Sequence, residues 1–212
     1  IEEAVNVGVV ARLINNGQSC IAAKRFIIED AIADQFEEMF VAKMKAVKIG
    51  DPMNEETDLG PIAREDLLHE LDAQVQKSVE QGAKILCGGK KIEGDGYYYH
   101  ATVLSNVQKG MLAYEEELFG PVAIIIRAKD EEDAIKIAND SPFGLGASLW
   151  TNDLEKANLL AAQIESGSVF INGLVKSDPR LPFGGIKISG YGRELSHYGI
   201  KEFVNIKTVW IK

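Results

Sequence analysis

The stretch PVAIIIRAKDEEDAIKIAND, Pro121 to Asp140, decides how the chain is read. Its first part, PVAIIIRAK, is a continuous apolar run, as expected for a strand covered on both faces. Its second part, DEEDAIKIAND, has acidic residues at the front and a helical spacing of apolar ones. A buried strand feeding a helix is the start of a βαβ unit. The same alternation continues downstream: GASLWT reads as a strand, DLEKANLLAAQI as a helix, and GSVFIN as a strand. The rhythm predicts an α/β fold, a three-layer αβα domain with a mostly parallel sheet and helices on both faces.

Upstream, residues 1–15 place Ile1, Val5, Val9 and Leu13 four apart, and Asn16 and Gly17 end that helix. KRFIIED reads as a strand, with Asp30 as the cap of the next helix. Ile32, Phe36, Met39, Phe40, Met44 and Val47 are its expected buried stripe. DPMNEETDLGP is a turn-rich loop, and residues 64–81 form a third helix with Leu67, Leu68, Leu71, Val75 and Val79 on one face. AKILCGG and YYYHATVLSNV read as two further strands. The final EFVNIKTVWIK has strand character, and a terminal strand of that kind often pairs with a neighbouring subunit.

The 212 residues are 46% apolar and 26% charged, a soluble globular composition with enough apolar residues for a sizeable core. A net charge of −9 argues against non-specific binding to nucleic acid or an anionic membrane, and no apolar run is long enough to span a bilayer. Two cysteines make no disulfide framework, so a reducing cytoplasm is the expected compartment. The chain opens in helical rhythm without a methionine, as expected for the middle of something longer.

Chemistry concentrates in three runs. NNGQSCIAAKR sets Cys20 among small polar residues, where a substrate could approach the thiol and the Cys20 N–H could face a developing oxyanion. From the residues alone, nucleophile and partly buried structural thiol stay open; Cys87, among aliphatic neighbours, reads as structural. His69, His100 and His197 lie in no recognisable base signature, the scattered ligands suggest no metal site, and no phosphate-binding glycine motif is present. EEELFGPV, Glu115 to Val122, is either a solvated acidic turn or a carboxylate that accepts from a diol beside an aromatic ring, Phe119. PFGGIKISGYGRE, Pro182 to Glu194, is a shaped loop of close backbone approach.

Taken in order, these runs resemble the aldehyde dehydrogenase superfamily, with DLGPIAR, GAKILCGG, SPFGLGASLWTND and SVFING also fitting. The resemblance covers essentially the whole chain. It implies that Cys20 is the nucleophile, forming a thiohemiacetal and then a thioester while hydride passes to NAD or NADP. It implies that Glu117 holds the nicotinamide ribose, that Phe119 packs beside it, and that residues 205–212 are an inter-subunit strand of a dimer or tetramer behind a catalytic domain of residues 1–204. The family's cofactor-binding domain, its second oxyanion donor and its general-base Glu lie upstream of the cysteine motif, so the chain is expected to be a catalytic half, inactive by itself. RLINNGQSCIAAKRF and KSDPRLPFGG look most like succinate-semialdehyde dehydrogenases, which makes Ser177 the candidate for binding a substrate carboxylate. Arg12 stands two residues from the position where an arginine of that group occurs. The other readings are a non-catalytic oligomerising fragment, a dehydrogenase for another small aldehyde, and a cysteine acyltransferase or esterase.

Overall fold

The computed structural model describes residues 1–212, in two compact units, 1–140 and 141–212. The first unit is built from α1 (Glu2–Leu13), β1 (Arg25–Glu29), α2 (Asp30–Lys45), α3 (Glu65–Glu80), β2 (Lys84–Cys87), β3 (Thr102–Ser105), α4 (Leu112–Glu115), β4 (Val122–Ala128) and α5 (Glu131–Asn139). Its sheet runs β1-β4-β3-β2. β4 pairs in parallel with β1 (Arg25 opposite Ile124) and with β3 (Val103 opposite Ala123), whereas β2 is antiparallel to β3.

The central place of β4 explains its composition. Successive side chains of a strand point to opposite faces. Val122, Ile124 and Ile126 therefore join Leu68, Leu71, Val75, Ala113 and Tyr114 in one core. Ala123 and Ile125 join Val5, Phe26, Phe36, Phe40, Met44 and Val103 in the other. The two cores sandwich the sheet between α1 and α2 on one side and α3 and α4 on the other, which is the three-layer arrangement expected. Phe40 is fully buried, its ring 4.7 Å from Phe26 and 5.4 Å from Phe36. Its burial alone is worth about 2–3 kcal/mol.

Local details differ from the sequence reading. Glu29, not Asp30, occupies the N-cap of α2, without a side-chain cap bond; Asp30 falls in the first turn, where its charge still complements the helix dipole. That start puts Ala33, Phe36, Phe40 and Met44 on the buried face and leaves Ile32 exposed. YYYHATVLSNV yields only Thr102–Ser105 as strand, and His100 precedes it. Asp130 caps α5 by accepting from the Asp133 N–H.

In the second unit β5 (Ala147–Leu149), α6 (Leu154–Ala161) and β6 (Val169–Ile171) form a parallel βαβ unit, with Ala147 opposite Val169. Asp153 caps α6, and Ala157 and Leu160 are its buried residues. The glycine-rich loop after β6 is pinned by reciprocal bonds between Phe183 and Glu194 and by Ile186 N–H donating to the Gly144 carbonyl at 3.0 Å. A short α7 (Ser196–Glu202), not anticipated from the sequence, follows. Residues 205–212 form no strand within this chain, and Ile206, Val209, Trp210 and Ile211 are exposed. A strand is held by ladder bonds to a neighbour, and none is offered to this segment here. No helix is long and apolar enough to cross a membrane.

Candidate active site

Cys20 lies on an exposed turn between α1 and β1. The chain leaves α1 through a tight turn, Ile14–Gly17, in which Asn15 and Asn16 adopt left-handed backbone conformations (φ 50° and 57°) and Gly17 a φ of 74°. Asparagine and glycine tolerate this region better than other residues. The side chains that set the turn are spent on holding it. Asn15 Nδ2 donates to the Gln18 carbonyl at 2.9 Å. Asn16 donates to the Pro61 carbonyl at 3.1 Å and accepts from the Gly60 N–H at 2.9 Å. Gln18 accepts from the Ala63 N–H at 3.1 Å. NNGQ is thus bolted to DLGPIAR, two runs more than 40 residues apart in sequence.

The turn is also docked on EEELFGPV. A Cβ on Gly17 would lie 2.9 Å from Pro121 N and closer still to the Gly120 carbonyl. Beneath this contact runs Arg12, fully buried. Its Nη2 donates to the Gly17 carbonyl at 2.7 Å and its Nη1 to the Val122 carbonyl at 3.3 Å, while Nε has no partner. Burial pushes the guanidinium down to about 9, opposed by attraction to Glu117. With its fork turned inward onto two carbonyls, Arg12 is a strut and not a substrate-facing cation. Its place on the buried face of α1 with Val5, Gly8 and Ala11 was the available signal, because a buried charge must bring its own partners.

Lys24, which the sequence reading passed over, joins the three predicted residues of this unit. Its Nζ forms an ion pair with Glu117 Oε1 at 2.8 Å and lies 5.7 Å from the centroid of the Phe119 ring. It also donates to the carbonyls of Ser19 (3.1 Å), Cys20 (3.3 Å) and Ala22 (3.0 Å). Burial lowers the Lys24 ammonium below its ordinary value, and the hydrogen bond to Glu117 opposes that shift. The Cys20 N–H itself donates to no acceptor in the chain.

Glu117 and Phe119 edge a cleft of ≈ 380 Å³ completed by Leu67, Glu70, Leu71 and Gln74. Phe119 is 37% exposed, large for an aromatic ring, and the second Glu117 oxygen meets no protein donor. A half-exposed carboxylate with a vacant oxygen and a neighbouring aromatic face suit a sugar diol and a flat ring. Ser177 belongs to the other unit, where it is exposed in a loop just ahead of an Asp178–Arg180 ion pair (2.6 Å). No set of three or more His, Cys, Asp or Glu side chains converges as metal ligands do.

Residues 1–209 match the aldehyde dehydrogenase family. The chain is 56% identical over 210 residues to succinate semialdehyde dehydrogenase [NAD(P)+] Sad of Escherichia coli K12, covering 99% of this chain and 46% of that protein. It is 50% identical over 211 residues to a probable succinate-semialdehyde dehydrogenase [NADP(+)] of Synechocystis, again 46% of that protein. Among solved structures, the succinic semialdehyde dehydrogenase of Streptococcus pyogenes in complex with NADP+ superposes with a TM-score of 0.96 at 40% identity, over 99% of this chain and 46% of that one. The chain spans about half the length of the curated relatives it matches.

Proposed function

Because the chain belongs to the aldehyde dehydrogenase family, we propose that it is the cysteine-bearing catalytic half of an NAD(P)-dependent enzyme that oxidises succinate semialdehyde to the acid. The observation that carries this reading is the Cys20 turn. It presents an exposed cysteine and an uncommitted backbone N–H, and it is tied through Lys24 to a carboxylate and an aromatic ring that border a cleft.

In this mechanism Cys20 Sγ, as thiolate, adds to the aldehyde carbon, and the carbonyl oxygen takes up the negative charge of the thiohemiacetal. The Cys20 N–H is available to donate to that oxygen. Glu117 would accept from the ribose hydroxyls of the nucleotide, and Phe119 would line its nicotinamide side. The chemistry supplied by that nucleotide is hydride acceptance from the adduct carbon. Cys20 then carries the acyl group as a thioester until water releases the carboxylic acid and returns the thiol. Ser177 is the proposed hydroxyl for the distal carboxylate, supported by the match of KSDPRLPFGG to the succinate-semialdehyde group and by the names of the relatives.

The test is a graft. This chain replaces the matching segment of the Escherichia coli relative, and reduced-nucleotide formation is followed with succinic semialdehyde. Turnover that vanishes on Cys20→Ala is the expected result; turnover that survives Cys20→Ala sinks the reading. Residues 205–212 are proposed as an inter-subunit strand, supported by the exposure of Trp210 (79%) and Ile211 (86%). Deleting them is expected to lower the assembly state seen by light scattering, and an unchanged mass removes the proposal.

A further inference from the structure

We propose that Lys24 is the positioning residue of the nucleophile: its ammonium holds the turn that presents Cys20, aims the Cys20 N–H, and ties both to the Glu117–Phe119 segment. The inference rests on the reading of Cys20 as the nucleophile.

Lys24 meets four oxygens, the carbonyls of Ser19, Cys20 and Ala22 at 3.0–3.3 Å and Glu117 Oε1 at 2.8 Å. An ammonium has three N–H donors and no acceptor. The four oxygens are enough to engage every donor of the charged form. Glu117 is the counter-charge that lets a cation sit where its side chain is only 18% exposed.

The bond to Ser19 bears most directly on chemistry. The Ser19 carbonyl and the Cys20 N–H belong to one planar trans peptide, in which they point in opposite directions. No cis peptide occurs in the chain. Fixing that carbonyl on Lys24, with the Ala22 N–H donating to the same oxygen at 3.0 Å, turns the Cys20 N–H to the other side of the turn, where it stays uncommitted. The bond to the Cys20 carbonyl fixes the following peptide as well. Both peptide planes flanking the nucleophile are thus set by one side chain. The adjacent Arg25 takes no part in this, since it donates to the Ile137 carbonyl at 3.0 Å and stacks over Tyr114.

The experiment measures alkylation of Cys20 by iodoacetamide in this chain, read site by site by mass spectrometry, with buried Cys87 as internal reference. The thiolate forms the C–S bond and iodide leaves. An ordered turn that holds the thiol open to the reagent favours reaction, and Lys24 holds that turn through the Ser19, Cys20 and Ala22 carbonyls, so Lys24→Met is expected to slow Cys20 labelling about fivefold or more. Lys24→Arg keeps the charge and the Glu117 pair and is expected to recover to within about threefold of the parent, short of full rescue because a planar fork cannot reproduce the tetrahedral spread of the ammonium's three donors. Lys109→Met, the loss of an exposed lysine paired with Asp140, is expected to change nothing. Labelling of Lys24→Met within about twofold of the parent, with an unaltered circular-dichroism melt, overturns the proposal. Should that variant not fold, Lys24→Gln takes its place with the same expectation. Failure of the nucleophile reading is separately visible: parent Cys20 would then label no faster than in the urea-unfolded chain, whatever the Lys24 variants do.

Discussion

Replacing Gly17 with alanine tests whether the Cys20 turn is held by backbone docking. Two costs combine at this position. Its φ of 74° places a new Cβ in the left-handed region, worth about 1–2 kcal/mol. The Cβ would also press into the Gly120 carbonyl and stand 2.9 Å from Pro121 N, atoms that move only with the backbone. Forcing a packed segment to shift adds about 1–3 kcal/mol. The sum, about 2–5 kcal/mol, corresponds to a fall in Tm of about 5–20 °C for a chain of this size. Gly110→Ala supplies the control in the same unit. Its φ is 89°, but a Cβ there meets nothing within 4 Å, so only the conformational cost applies. The assay is a thermal melt of both variants, with Cys20 alkylation read in parallel. Gly17→Ala is expected to melt several degrees below Gly110→Ala and to label at an altered rate. Equal melting of the two variants would refute the docking argument.

Two further outcomes follow from the same contacts. Leu71, 2% exposed, presses on Gly120, its Cδ1 lying 3.3 Å from where a Gly120 Cβ would be. Leu71→Ala should cost about 2–5 kcal/mol in urea unfolding, and a loss below about 1 kcal/mol would contradict the packing described. Tyr114 donates to Asp140 Oδ2 at 2.8 Å and is pushed up to about 12, by burial first and then by that bond. For an acid raised in the folded state, the stability contribution is complete below its ordinary value of 10.0 and is lost as pH climbs through about 12. The parent melt should therefore fall more steeply than that of Tyr114→Phe between pH 10 and 12; burial and Asp72 also raise Tyr99, but equally in both proteins. Parallel melting curves would remove Tyr114 as the cause.

Local patterns carried much of this protein. PVAIIIRAK read as a doubly covered strand because an apolar run without alternation has no solvent face to serve, and β4 is the centre of its sheet. The strand–helix rhythm foretold parallel pairing, which β1, β3 and β4 show, but β5 and β6 pair with each other in a sheet of their own and not with β4. Helix edges were less legible: Ile32 and Ala33 could both have faced the core, and only the start of α2 at Asp30 chose between them. The strand expected at 205–212 has no ladder partner inside the chain, since sequence pattern shows strand tendency but not whose edge completes it.

The sequence by itself determined the family, through ordered motifs, and marked Cys20, Glu117 and Phe119 as residues of interest. Tertiary structure decided that the first of these meets the other two through Lys24, and that Arg12 is a strut beneath them. The reason is physical. Apart from the Glu117 carboxylate and the Phe119 ring, the ties are side-chain bonds to main-chain carbonyls, and every residue has a carbonyl, so no residue type in the sequence advertises those acceptors. Lys24 reaches an oxygen from Ser19, Cys20, Ala22 and Glu117 because the chain brings them within 3.3 Å. That proximity is set by α1, β1 and β4 packing into one unit, and it is written nowhere in the spacing of the motifs.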